Sequence, residues 1–227
     1  MEHGSLLNCS GVCDGINCSS SENKMSKERE DFYRISAVIL ENGRECLVNL
    51  LEVDLSNKKK SLIEFIVLNR HEIYHLCYNK YPCCQCSGQL PPKTPPRRIL
   101  NVKQLDKIFD NTNRIPGHNK STRSKECCFV VKHNVTLDDF DITLMRCMLI
   151  NFTTTCQPGY VRQAVDALIE IRNDVYGHAI KASLTDAKFL IHQSALKVVI
   201  QTISKVCGKE GVRSIYNYYF PTNPELC

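Results

Sequence analysis

The chain has 227 residues, 43% of them hydrophobic, with a formal charge of +5. That length and apolar content suit one large domain with tails, and exclude a wholly disordered chain. The mildly basic balance permits an acidic partner such as RNA, but falls far short of a dedicated nucleic-acid binder.

Residues 1–25 are rich in Ser, Gly, Asn and Cys and lack any period, which predicts a disordered tail. They also lack the basic-then-apolar pattern of a signal peptide, so a cytoplasmic location is expected. From Ser26 to Asp54 the spacing predicts a helix. Ser26 would cap it, Glu28 and Glu30 stand in the acidic first turn, and Phe32, Ile35, Ile39, Cys46, Leu47 and Leu50 recur at helical intervals. Lys58, Lys59 and Lys60 form a charged connector, and a second helix runs from about Ser61 to Cys77. Residues 78–98 hold Pro82, Gly88, Pro91, Pro92, Pro95 and Pro96, which forbid regular structure. So long an irregular insertion needs a function or an anchor.

A short helix is expected over Val102–Phe109, followed by a polar, mobile stretch over Asn111–Lys125. Thr136 and Asp139 resemble a capping box at the start of a helix reaching Phe152. Gln157-Pro158-Gly159 breaks the chain. A helix from Tyr160 to about Tyr176 turns Val161, Val165, Leu168 and Val175 inward. Ser183 with Asp186 opens the last long helix, which Gly208 ends, and residues 221–227 form a C-terminal tail. No segment reaches the ~18 apolar residues of a membrane span, and none of any length shows a strand period. The expectation is an all-α domain over residues 26–220.

The most informative segment is Arg172-Asn173-Asp174-Val175-Tyr176-Gly177-His178. Arginine forks onto two phosphate oxygens, and histidine moves protons near neutrality. Together they could bind and cleave an RNA phosphodiester without a metal. On an ideal helix these two side chains would point roughly 120° apart and sit about 9 Å apart along the axis. Gly177 permits the chain to leave the helix and redirect His178. A bland role stands beside this one. A histidine past a helix end can bond the last carbonyls, and an arginine can lay its stem on the core.

Ile171 to Ala179, with Lys181-Ala182-Ser183 and Asp186-Ala187-Lys188-Phe189, resembles the HEPN family (higher eukaryotes and prokaryotes nucleotide-binding). The similar branch is the one found in the DAZ-interacting zinc-finger ubiquitin ligases. Arg98-Ile99-Leu100-Asn101 with Gln104-Leu105-Asp106, and Phe140-Asp141-Ile142-Thr143-Leu144, share in the likeness, which covers roughly residues 26–208. It implies an α-helical bundle, often dimeric, with Arg172, Asn173 and His178 as the site of a metal-independent ribonuclease. Other members have lost that activity. The alternative is a catalytically silent interaction module in innate-immune or ubiquitin-linked signalling.

Cysteine supplies the remaining signal. The chain has 14, expected as thiols or metal ligands rather than disulfides. Cys83, Cys84 and Cys86 sit in the insertion, and Cys127 and Cys128 follow it. Zinc takes four S or N ligands in a tetrahedron, so these five are the candidates for a structural site, with Cys77 or His75 able to complete it. The other reading is free thiols packing as small hydrophobes. His71-Glu72-Ile73-Tyr74-His75 literally matches the H-E-x-x-H of zinc proteases, but no downstream third ligand follows and the reading is an ordinary polar helix face.

Overall fold

The computed structural model describes residues 19–83, 85–86, 95, 97–115, 128–177 and 182–208. The fold over these residues is mainly helical. Helix α1 spans Ser19–Val38, beginning ahead of the expected start at Ser26, and runs through a π-helical segment, Ile39–Gly43, into α2, Arg44–Asn57. Such π segments widen one turn. Here the widened turn carries Gly43 against Leu168, where a Cβ would come 2.9 Å from Leu168 Cδ1.

Helix α3, Leu62–Cys77, opens on the capping box of Ser61 and Glu64. Asn101 and Gln104 form another at the start of α4, Val102–Ile108. Each box satisfies backbone donors at a helix start that have no partner within the helix. Two strands then depart from the all-α expectation: β1, Phe109–Arg114, pairs antiparallel with β2, Phe129–Val131. Asp110 accepts from Thr112 N–H at 2.9 Å and from Asn113 Nδ2 at 2.6 Å, which builds a bulge into β1. Part of the segment read as polar and mobile is therefore strand. Phe109, Phe129 and Val131 supply the ribbon's buried face.

Thr136 and Asp139 do form a capping box, but it caps only a 3-10 turn, Leu137–Asp139. The carboxylate of Asp141 then accepts from Leu144 N–H at 2.7 Å and starts α5, Ile142–Phe152, afresh. Helix α6 spans Tyr160–Gly177. Helix α7, Asp186–Cys207, is capped by Thr185 rather than Ser183, and it ends as expected at Gly208, whose φ of 63° suits glycine.

The core draws on α1 to α7, and includes Ile35, Leu47, Leu50, Ile66, Ile108, Leu144, Leu168 and Leu196. Burying each such side chain is worth about 1.5–3 kcal/mol. Two polar ties cross it. Asp54, fully buried on α2, accepts from the backbone and hydroxyl groups of Thr154 and Thr155 at 2.8–3.1 Å and pairs with Lys58 at 2.7 Å. Asp166 of α6 accepts from Arg146 of α5 at 2.6 Å and from Arg162 at 2.8 Å. Lys58 is thus committed to structure rather than to a solvated connector. Among the described residues no helix is long and apolar enough to cross a membrane.

Candidate metal centre and the Arg172 groove

His71 and His75 are one helical turn apart on α3, so both imidazoles leave the same face, with ring centroids 5.0 Å apart. Beyond the helix the chain returns in a tight turn, Cys86 N–H donating to the Cys83 carbonyl at 3.0 Å. That turn stacks the two ends of the C-x-x-C and delivers both sulfurs to the histidines. The ligand atoms of His71, His75, Cys83 and Cys86 all lie within 4.8 Å of one another, a cluster that could hold a metal ion.

The edges are informative. Zinc–ligand lengths of ~2.3 Å for sulfur and ~2.05 Å for nitrogen give tetrahedral edges of roughly 3.8 Å between sulfurs and roughly 3.6 Å between sulfur and nitrogen. Cys83 Sγ stands 3.7 Å from Cys86 Sγ, and Cys86 Sγ stands 3.2 Å from His75 Nε2 and 3.3 Å from His71 Nε2. His75 Nδ1 faces the Tyr78 carbonyl at 3.4 Å. A proton held on Nδ1 leaves the Nε2 lone pair for a metal. Burial holds the His75 imidazole below its ordinary pKa, against the opposing pull of the Tyr78 carbonyl, so the neutral ligand form is favoured. Burial also pushes the Cys83 thiol up to about 12. A bound cation reverses that, because a coordinating thiol is deprotonated outright. The Gln85 N–H, 3.3 Å from Cys83 Sγ, would then support the thiolate.

Of the cysteines expected from sequence, Cys83 and Cys86 belong to this cluster. Cys128 is buried beside Cys83 and Tyr74 but contributes no ligand atom to the four. Cys84 and Cys127 lie outside the described residues. Cys77 turns away, accepting from Arg98 Nη2 at 3.2 Å. His71 and His75 are not an ordinary polar helix face, since His75 is fully buried and both join the cysteines. The signal that reveals the set is H-x-x-x-H and C-x-x-C read as two halves of one pattern over residues 71–86.

Arg172, Asn173 and Asp174 sit on the last turns of α6, while His178 lies outside the described residues. Arg172 is half-buried. Its guanidinium lies 5.9 Å from the Tyr176 ring centroid and donates to Asn173 Oδ1 at 3.2 Å. Asp174 faces α7, where His192 Nε2 is 3.0 Å and Lys188 Nζ 3.4 Å from its carboxylate. Tyr176 packs edge-on against Phe32 and donates its hydroxyl to the Ser36 carbonyl at 3.4 Å, which anchors the end of α6 on α1.

Arg172 and Tyr176 form one wall of an open groove of about 510 Å³, with Lys107 of α4, Arg44 and Leu40, and Asp138, Phe140, Asp141 and Ile142 as the rest. Arg44 is committed to Asp138 at 3.1 Å and to the Leu137 carbonyl at 2.9 Å. Asp141 is engaged by the α5 amide and by Gln104 Nε2 at 3.2 Å. No protein-family model, curated protein or solved structure matches this chain.

Proposed function

We propose that the chain is a HEPN-like, zinc-stapled helical domain that binds single-stranded RNA in the groove over Arg172. One observation carries the RNA reading. Two segments that lie far apart in sequence and carry the family resemblance, residues 140–144 and 171–176, line this groove, and a third, residues 98–106, is tied to its rim by the Gln104–Asp141 hydrogen bond. Arg172 and Lys107 supply phosphate contacts, and Tyr176 supplies an aromatic platform for a base. Cleavage would add His178 as the proton-transfer group, with Asn173 orienting it, and a second copy of the chain would complete a two-fold cleft.

The test uses labelled single-stranded RNA and full-length, zinc-loaded protein in buffer freed of magnesium and calcium. Binding should weaken at least tenfold in Arg172→Ala and fall with salt. Cleavage should leave a cyclic phosphate and vanish in His178→Ala while binding persists. Absence of any binding at low salt would sink the RNA reading.

The metal reading is a structural zinc in the cytoplasm, where thiols stay reduced. Four protein ligands close the coordination sphere, so no position remains for a hydrolytic water. The H-E-x-x-H match is therefore a staple half rather than a protease centre. A second reading of the whole chain, a silent association module, is favoured by Leu190, Ile191 and Val198 standing exposed on α7. Light scattering of Ile191→Glu beside wild type tests it. Loss of a dimer in the variant, with no RNA binding by the wild type, would favour association.

A further inference from the structure

We propose that Cys83 and Cys86 are a reversible oxidation site, at which a hydroperoxide converts the zinc-bound thiolate pair to a disulfide and expels the ion. The proposal rests on the zinc reading above. The two sulfurs are 3.7 Å apart, already side by side on a short turn. A disulfide needs about 2.05 Å, a closure that a C-x-x-C turn accommodates. The pair is asymmetric: Cys83 is buried, whereas Cys86 is partly open to solvent. Cys86 thus meets the oxidant, and Cys83 resolves it. Cys46, Cys147 and Cys156 are buried within the main core, shielded from the same reagent.

The chemistry balances with the hydroperoxide as sole oxidant. The Cys86 thiolate attacks the peroxide oxygen, forming an S–O bond as the O–O bond breaks and an alkoxide or hydroxide leaves. The Cys83 thiolate then attacks the resulting sulfenic sulfur, forming the S–S bond and releasing hydroxide. Two thiolates lose two electrons in all, the peroxide gains them, and two protons convert the leaving groups to water or alcohol. Zinc is left with His71 and His75 alone and departs. The chain at residues 98–100 stays tied to the end of α3, because Ile99 and Leu100 N–H donate to the Leu76 carbonyl at 2.8 and 3.0 Å and Arg98 holds Cys77. Release is therefore local to residues 71–86.

The experiment takes the full chain loaded with zinc and measures metal content first. A protein that takes up no zinc overturns the zinc reading and this proposal together, before any oxidant is added. Hydrogen peroxide is then added near stoichiometry. The expected result is loss of the bound zinc, loss of two thiols mapped by peptide mass spectrometry to Cys83 and Cys86, and unchanged helical circular dichroism. A thiol reductant with added zinc should restore the starting state, and Cys128→Ser should behave as wild type. Zinc that stays bound under peroxide overturns the proposal and leaves the zinc reading standing. So does a disulfide mapped to Cys84 or Cys128, or Cys86 oxidised irreversibly to the sulfinic acid.

Discussion

Gln104 and Asp141, 37 residues apart in sequence, meet with the Gln104 amide 3.2 Å from both carboxylate oxygens. Each also caps a helix: Gln104 closes the box on α4 with Asn101, and Asp141 starts α5. One contact therefore registers two helix starts against each other at the rim of the Arg172 groove. Asp141→Ala removes a cap and orphans a buried amide, and should cost about 2–3 kcal/mol in denaturant unfolding. Gln104→Ala should cost about 1–2 kcal/mol by the same reasoning. A double-mutant cycle should return a coupling of about 1 kcal/mol. Additive costs would show that the two caps act independently.

Zinc should account for a separate share of stability. Wild-type protein is expected to hold close to one zinc per chain. Free zinc at 100 to 1,000 times its Kd would add about 3–4 kcal/mol by mass action. His75→Ala and Cys86→Ser should abolish that zinc-dependent increment in calorimetry and keep the helical spectrum, since α3 still buries Phe65, Ile66, Ile73 and Leu76 in the main core. Equal melting temperatures with and without zinc would contradict a structural role.

Acid should weaken the fold through two carboxylates. Burial pushes the Asp54 carboxyl up, but the donors from Lys58, Thr154 and Thr155 outweigh it and hold its pKa below the ordinary value. Asp166 behaves likewise, its burial outweighed by Arg146 and Arg162. In both cases the unfolded chain binds the proton more readily. Their stabilisation is thus complete above the ordinary aspartate pKa of ~3.9 and is lost as pH falls from there through the lower folded values. Urea midpoints should be insensitive to these two groups above about pH 5 and drop below about pH 4. Asp54→Asn should be less stable at neutral pH and show a shallower acid slope. An unchanged slope would assign the acid sensitivity to other groups.

Gly43 should resist enlargement. Its missing Cβ faces Leu168, a fully buried side chain with little room to swing aside. Overpacking of about 1–3 kcal/mol outweighs the ~1 kcal/mol that alanine gains over glycine in a helix. Gly43→Ala is expected to destabilise by about 1 kcal/mol in wild type and to become stabilising in a Leu168→Ala background. Destabilisation of equal size in both backgrounds would mean that the π turn itself, not the contact, requires glycine.

The helices were legible in the residues because their causes are local. The inward stripe of Val161, Val165, Leu168 and Val175 follows from a 3.6-residue period, and the end of α7 from Gly208. Even the local signals misled where two competed. Thr136 and Asp141 both offer caps within a few residues, and the structure uses one for a 3-10 turn and the other for α5. The ribbon was hidden because its strands are short and one is bulged, so no alternation of polar and apolar residues develops.

Only the tertiary structure decided which side chains share a site. The spacing of His71 and His75 places them on one helix face, and the spacing of Cys83 and Cys86 places them on one turn. Whether the turn folds back onto that face depends on the burial of Cys83 against Tyr74 of α3 and Cys128, which is distant in sequence. In the same way, Lys107, Asp141 and Arg172 line one groove because Gln104 ties α4 to the start of α5 and α5 packs on α6. Hydrogen bonds within a helix are set by neighbours in sequence. A metal cluster or a groove is set by burial of apolar surface distributed along the whole chain, and no local period records it.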